Sequence, residues 1–120
     1  MKVSVTKCFG FESSHSLPKY EGACSRLHGH SYKLQVTVSG SVDEATGMVL
    51  DFNVLKKIVK EKVVDRYDHR NLNDFFFNPT AEIMVQHIFK ELSVAFNKIG
   101  LDVDSVKLWE TESSFAECRR

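Results

Sequence analysis

Apolar and polar residues alternate in several segments of the chain. In residues 32–38 apolar side chains recur at every second position, and residues 3–12 follow the same pattern except at Lys7. This alternation is typical of a β-strand with one buried face. Apolar residues recur less regularly in the tail, at residues 103–108 and 115–118, and predict one or two further strands. The short apolar run at residues 48–50 is a candidate for a returning strand.

Two segments between these strands have apolar residues at helical spacing. Residues 51–65 predict an amphipathic helix, with Asp51 suited to cap its first turn. A second helix is predicted to open at Pro79-Thr80 and to stop near Gly100. The order strand, strand, helix, helix, strand, strand predicts an α+β fold, an antiparallel four-stranded sheet with two helices on one face.

Length and charge restrict the fold and the partners. The 120 residues predict one domain, residues 1–120. Equal numbers of basic and acidic residues, 16 of each, argue against a nucleic-acid partner, because such proteins rely on clustered Lys and Arg. No apolar run reaches the ~18–20 residues of a membrane span. The three cysteines cannot all pair, so we expect reduced thiols and a cytoplasmic location.

Three of the five histidines lie near the start of the chain. His28 and His30 are two residues apart, which places both rings on the same face of a strand. His15 ends the preceding strand and supplies a third imidazole if the two strands are neighbours. Three neutral imidazoles leave one tetrahedral position open, as in catalytic zinc sites. By residue chemistry alone, ordinary surface or capping histidines are an equal alternative.

Cys24 precedes His28 by four residues, and two roles are open to it. As a fourth ligand, its sulfur would close the metal shell and make the zinc structural. As a free thiolate beside a cation, it would be an activated nucleophile or base. The spacing alone favours neither role.

Two further groups carry candidate chemistry. Asp68 precedes His69 in a polar segment, and a carboxylate can orient an imidazole as it does in triad-type catalysis. Glu110 ends a predicted strand beside Trp109, where an acidic group next to an aromatic ring suits a planar heterocycle with adjacent N–H donors. Taken singly, Asp68 and His69 are more simply interpreted as part of a solvated polar loop, and Glu110 as a surface residue at the end of a strand.

Together these segments resemble the 6-pyruvoyl-tetrahydropterin synthase / 6-carboxy-tetrahydropterin synthase family. The resemblance rests on Phe-Glu-Ser-Ser-His at residues 11–15, Cys-Ser-Arg-Leu-His-Gly-His at 24–30, Asp-His-Arg-Asn-Leu-Asn at 68–73, Pro-Thr-Ala-Glu at 79–82 and Glu-Thr at 110–111. Each motif is modest alone, but all of them occur in the family's order over nearly the whole chain.

The resemblance implies a fold, a cofactor and an assembly. The fold is the tunnelling fold (T-fold), in which subunit sheets join into a barrel, commonly in a homohexamer built as a dimer of trimers. The cofactor is Zn²⁺, bound by His15, His28 and His30. Cys24 is then the proton-moving base and not a ligand.

The remaining site residues also receive roles from the resemblance. His69, oriented by Asp68, would be the partner acid/base, and in such assemblies this pair comes from a neighbouring chain. Glu110 would anchor the pterin by accepting hydrogen bonds from its N–H edge. The substrate is then a small-molecule pterin triphosphate.

The resemblance also implies a reaction. The four-residue step from Cys24 to His28 resembles the 6-carboxy branch, which converts 7,8-dihydroneopterin triphosphate to 6-carboxy-5,6,7,8-tetrahydropterin with loss of acetaldehyde and triphosphate, in queuosine and deazapurine biosynthesis. 6-Pyruvoyl-tetrahydropterin synthase activity is the main alternative. Aldolase or cyclohydrolase chemistry in the same fold and a non-catalytic zinc- or pterin-binding module are the others.

Overall fold

A sheet with helices on one of its faces organises the chain. The computed structural model describes residues 1–120, and its strands are β1 (Lys2–His15), β2 (His28–Ser41), β3 (Arg70–Asn71), β4 (Asp102–Thr111) and β5 (Ser114–Arg119). Their order across the sheet is β3-β1-β2-β4-β5. Every pairing is antiparallel except the short parallel one between β1 and β3.

The long pairing of β1 with β2 explains where the histidines lie. The register runs from Lys2 opposite Ser41 to His15 opposite His28. Because directly opposed residues project on the same face, the buried, stacked rings of Phe11 and Tyr32 continue into the histidine pair. The histidines therefore lie at the end of the sheet's buried face.

The first helix, α1, is continuous but changes its winding. It is α-helical over Phe52–Val59, π-helical over Lys60–Val64 and α-helical again over Asp65–Tyr67, and the Asp51 carboxylate caps it by accepting from the Asn53 N–H at 2.7 Å. Its buried residues, Leu55, Val59, Val63 and Tyr67, recur every four positions. In a regular α-helix this stripe would drift by about 40° per step, and the wider π turn offsets that drift.

The second helix, α2 (Ala81–Asn97), begins and ends at strong local signals. The Thr80 hydroxyl accepts a hydrogen bond from the Ile83 N–H at 3.1 Å, as an N-cap does. Gly100 has a φ of 80°, a conformation that favours glycine at a helix end. The buried face of α2 packs on the sheet as part of one 20-residue core.

The α+β class and the placement of both helices on one face are confirmed, but two details of the prediction were wrong. The sheet has five strands instead of four, because the two residues Arg70–Asn71 pair with Ser13 and Ser14 of β1. Such a short strand leaves no alternation to detect. Residues 48–50 form no strand; the Met48 carbonyl instead accepts from the Asp43 N–H at 2.9 Å and closes a turn.

Two strand boundaries also differ from the prediction. β1 ends at His15 and β2 begins at His28, so both strands are longer than the alternating segments, residues 3–12 and 32–38, that predicted them. None of the helices combines the length and apolar sequence that crossing a bilayer would require.

Candidate metal centre and active site

Three imidazole rings converge at the ends of β1 and β2. His15 and His28 are register partners, and His30 follows two residues along the same face. The Nε2 atom of His15 lies 3.0 Å from His28 Nε2 and 3.1 Å from His30 Nε2. The predicted histidine cluster is therefore present, with the His15 side chain fully buried at its centre.

Backbone carbonyls fix the orientation of two of these rings. His15 Nδ1 lies 2.8 Å from the Pro79 carbonyl oxygen, just before α2, and His28 Nδ1 lies 2.7 Å from the Arg26 carbonyl oxygen. Because a carbonyl only accepts, each Nδ1 must carry the proton and donate it. In its neutral form, each of these rings then presents an unprotonated Nε2 atom to the cluster, the arrangement that metal-binding histidines use.

A carboxylate completes the cluster. Glu110 Oε1 lies 3.1 Å from His15 Nε2 and 3.0 Å from His30 Nε2. The ligand atoms of His15, His28, His30 and Glu110 all lie within 4.8 Å of one another. This position of Glu110 depends on β4 lying next to β2, a pairing that the sequence pattern does not reveal.

The donor set fits a divalent metal ion. A tetrahedral zinc site with metal–nitrogen bonds of about 2.0–2.1 Å has ligand atoms roughly 3.3–3.4 Å apart, close to the 3.0 Å and 3.1 Å separations found here. In their neutral form, His15 and His28 turn lone pairs to the centre, and the Glu110 carboxylate adds a further acceptor. Acceptors at this distance repel one another, and a shared cation, either a proton or a metal ion, removes that repulsion.

The electrostatics of the cluster lead to the same conclusion. Burial is the largest influence on the pKa of His15 and lowers it, but hydrogen bonds to Glu110 and to the Pro79 carbonyl outweigh burial and leave this pKa raised. The pKa of the Glu110 carboxyl is lowered, chiefly by its hydrogen bond with His15. Burial lowers the pKa of His30. A proton shared between His15 and Glu110 is therefore favoured at the centre, in the position that a metal ion would take.

Cys24 lies outside this cluster. It belongs to a short 3₁₀ turn, Ala23–Ser25, in the loop between β1 and β2, and its thiol is free and half-buried. The Leu17 N–H donates to the Cys24 carbonyl at 2.9 Å, which closes the loop on itself. The sulfur is not among the candidate ligand atoms.

Asp68 and His69 form the predicted carboxylate–imidazole pair. His69 Nδ1 lies 3.0 Å from Asp68 Oδ2, which adjacent residues achieve here because His69 has a φ of 58°. Asp68 Oδ1 accepts from the Glu12 N–H at 2.9 Å. That hydrogen bond and the one from His69 lower the pKa of Asp68. The carboxylate is therefore held in its charged form beside the imidazole.

One polar cavity connects the pair with the histidine cluster. It has a volume of about 500 Å³, and its lining contains no hydrophobic residue but includes both His30 and His69. Glu110 instead lines a separate cavity of about 400 Å³ with Glu82 and Phe115. His69 and His30 of one chain thus line the same cavity, whereas Glu110 borders a second one.

Sequence reasoning missed one side chain at the cluster. The Tyr32 hydroxyl lies 3.2 Å from His15 Nδ1, and burial raises the pKa of this phenol. The signal was present, because Tyr32 follows His30 by two residues and must share its face. The Pro79 and Arg26 carbonyls have no comparable signal, since backbone contacts depend on the folded loops.

Comparison with known proteins agrees with this site. A model of the 6-pyruvoyl tetrahydropterin synthase family matches residues 4–120. The chain belongs to this family. It is therefore an enzyme of the tetrahydropterin synthase type, a family whose substrates are small-molecule pterins.

Individual members of the family cover nearly the whole chain. The chain is 41% identical to a 6-carboxy-5,6,7,8-tetrahydropterin synthase of Synechocystis sp., over 93% of this chain and 89% of that protein. It is 34% identical to the Haemophilus influenzae protein of the same name, over 94% and 96%. The solved structure of Caenorhabditis elegans 6-pyruvoyl tetrahydropterin synthase superposes with a TM-score of 0.88 at 27% identity, covering 100% of this chain and 96% of that one. The predicted T-fold is confirmed.

Proposed function

We propose that this protein is a zinc-dependent 6-carboxy-5,6,7,8-tetrahydropterin synthase. It converts 7,8-dihydroneopterin triphosphate to 6-carboxy-5,6,7,8-tetrahydropterin and releases acetaldehyde and triphosphate, within queuosine and deazapurine biosynthesis in the cytoplasm. The observation that carries the proposal is the convergence of the ligand atoms of His15, His28, His30 and Glu110 within 4.8 Å of one another. The names of the Synechocystis and Haemophilus relatives support the 6-carboxy product.

The metal role falls to the three histidines. His15, His28 and His30 hold the ion through Nε2, as the backbone acceptors on His15 and His28 favour. When bound, a zinc ion supplies Lewis acidity that lowers the pKa of substrate hydroxyl groups and stabilises negative charge on their oxygens. Imidazole ligands suit zinc among the divalent metals.

The chain's own residues then move the protons. The Cys24 thiolate removes a carbon-bound proton next to the polarised oxygens of the substrate side chain, and His69 returns protons on the opposite side. Asp68 keeps the His69 ring oriented and stabilises its charged form. Glu110 accepts hydrogen bonds from the N–H edge of the pterin, through the carboxylate that borders the second cavity.

The 6-pyruvoyl product is the second candidate, favoured by the close superposition on the C. elegans enzyme. The two outcomes differ in one bond. Eliminating triphosphate gives one side-chain carbonyl, and moving two hydrogens from the carbinol next to the ring to the C6=N5 bond of the dihydropterin gives the second. The side chain is then the pyruvoyl group, and the ring is the tetrahydropterin. Cleaving the bond between those carbonyls with water gives the carboxylate on the ring and acetaldehyde as the departing two-carbon fragment.

A product assay decides between these candidates. Purified protein loaded with zinc is incubated with 7,8-dihydroneopterin triphosphate, and the pterin and acetaldehyde are identified. We expect 6-carboxy-tetrahydropterin and acetaldehyde in equal amounts. The pyruvoyl product without acetaldehyde would establish the second candidate. Binding of zinc and pterin without turnover would show that the protein is a non-catalytic binding module.

We also propose a homohexamer arranged as a dimer of trimers. Both sheet edges support association, because β1 meets β3 only at Ser13 and Ser14 and the outer edge of β5 has no partner strand. Unpaired strand edges of this kind join readily to another chain. Light scattering combined with size-exclusion chromatography should give six times the 13.7 kDa chain mass, and a monomer at working concentration would refute the assembly.

A further inference from the structure

The segment that carries Asp68 and His69 is fastened to β1 at its beginning. The Ser13 hydroxyl donates to the Tyr67 carbonyl at 2.5 Å, and the Glu12 N–H donates to Asp68 Oδ1 at 2.9 Å. The His69 N–H in turn donates to the Glu12 carbonyl. Ser13 is only 7% exposed, so water does not replace its hydrogen bond readily.

The same segment is fastened again at its end. Asn73 Oδ1 accepts from the Ser16 N–H at 2.8 Å, and Asn73 Nδ2 donates to the Ser16 carbonyl at 2.9 Å. One side-chain amide thus satisfies both backbone groups of the residue that follows His15. Between the two fastenings, β3 pairs with β1.

These contacts are what hold His69 in place. The His69 side chain is 78% exposed, so side-chain packing contributes little to its position. Its φ of 58° is unfavourable for a residue with a Cβ atom and persists only where neighbouring contacts impose it. Since the contacts run to residues 12–16, the segment is held to β1 of its own chain.

We infer that Ser13 and Asn73 are positioning residues that hold the Asp68–His69 pair at a fixed place relative to the end of β1. Ser13 fixes the entry to the pair through the Tyr67 carbonyl, and Asn73 fixes the exit through the backbone of Ser16. The inference rests on the proposed function, because His69 needs a fixed position only if it transfers protons to a bound substrate.

Steady-state kinetics of Ser13→Ala and Asn73→Ala test the inference, with Ser39→Ala as the matched control. Ser39 is also a buried serine of this sheet, 4% exposed, and its hydroxyl donates to Asp104 Oδ1 at 2.8 Å. We expect kcat to fall by about 10- to 100-fold in the first two variants with KM nearly unchanged, since small misplacements of a catalytic group have effects of this size. Ser39→Ala should keep full kcat.

A double-mutant cycle separates positioning from a general structural role. In a His69→Ala background, Ser13→Ala and Asn73→Ala should lower kcat no further, because the group that they position is gone. Equal losses with and without His69, or an equal loss in Ser39→Ala, would overturn the inference.

Amide hydrogen exchange supplies a readout that needs no substrate. Ser13→Ala should speed exchange at residues 68–70, and Asn73→Ala should do so at Ser16, while Ser39→Ala should change neither. If the wild-type protein does not turn over the pterin, the proposed function is wrong. Hydrogen exchange alone then tests whether Ser13 and Asn73 hold the segment to β1. Unchanged exchange in both variants would refute the inference.

Discussion

At the residue scale, the site consists of acceptors arranged around one point. Three imidazoles and a carboxylate approach one another to about hydrogen-bond distance, while backbone carbonyls hold the protons of two rings on the far side. Outer partners of this kind fix ring orientation and tautomer, as they do around bound metal ions. Cys24 is absent from the cluster, which leaves its thiol available for chemistry.

Cys24→Ala should therefore abolish turnover and keep the metal. Loss of a general base lowers rates by about 10²- to 10⁴-fold, and the sulfur contributes no ligand atom to the cluster. Turnover and zinc content per chain are measured together, with the exposed thiol variant Cys8→Ala as control. Zinc lost along with activity would show that Cys24 is a ligand and not a base.

A contact in the site was predictable from the sequence when its residues are close together along the chain. His28 and His30 were predictable because their two-residue spacing fixes a shared face on any strand. His15 was predictable because a hairpin brings its strand alongside. The place of Glu110 in the cluster was not predictable, since it requires β4 to pair with β2 across more than sixty residues of chain.

At the element scale, local signals fixed the helices better than the short strands. Asp51 and Thr80 cap the two helices as their residue types predict, and alternation revealed the long strands. The π turn at Lys60–Val64 and the two-residue β3 left no such pattern. Both arise from the tertiary fit of α1 and the following segment to β1.

Thr80→Ala should weaken both α2 and the metal centre. Loss of an N-cap side chain destabilises a protein by about 1 kcal/mol, and Thr80 follows Pro79, whose carbonyl holds His15. Denaturant titration and a zinc competition assay measure the two effects. Thr46→Ala, which removes a 3.3 Å hydroxyl contact in a surface turn, should change neither. A stability loss with unchanged zinc affinity would show that Pro79 stays in place without the cap.

The far ends of the strands should respond to acid through Asp102. Lys2 Nζ and Arg120 Nη1 each lie 2.9 Å from Asp102 Oδ2, and the hydrogen bond from Lys2 is the main cause of its lowered pKa. A carboxyl with a lowered folded-state pKa stabilises the fold above its unfolded value, 3.8, and loses that contribution as pH falls through the folded value.

Asp102→Asn tests this assignment by denaturant unfolding across pH. The variant should be less stable than wild type at neutral pH, and the difference should vanish in strong acid, where both side chains are neutral. Glu112→Gln removes an exposed carboxylate from the turn after β4 and should show little effect. A difference that persists unchanged in acid would point to packing instead of charge.

At the scale of the whole molecule, a small chain gains from binding a metal at the junction of its parts. The cluster joins the ends of β1 and β2, the end of β4 and, through Pro79, the start of α2. A chain of 120 residues buries only part of the surface that it exposes when unfolded. An ion bound at the cluster would link these elements and so add to the stability of the fold.

Zinc should accordingly raise the melting temperature. At a free concentration about 100 times its Kd, a ligand of the native state alone stabilises by ~2.7 kcal/mol, which corresponds to a Tm rise on the order of 10 °C for this size. Calorimetry with and without chelator measures the rise. His28→Ala should lose it, whereas His87→Ala, on the surface of α2, should keep it. An equal rise in both variants would place the ion elsewhere.

The wide turn in α1 has a consequence for chain length. It accommodates one surplus residue relative to a regular helix, so deleting a single residue within 60–64 would restore regular winding. Leu55 and Tyr67 would then be eleven residues apart, and eleven steps of about 100° bring the chain to within about 20° of three full turns. Tyr67 would therefore stay on the buried face, and the segment that carries Asp68 and His69 would keep its direction toward β1. Chain length in this helix can thus change by one residue at the wide turn without turning the reactive pair away.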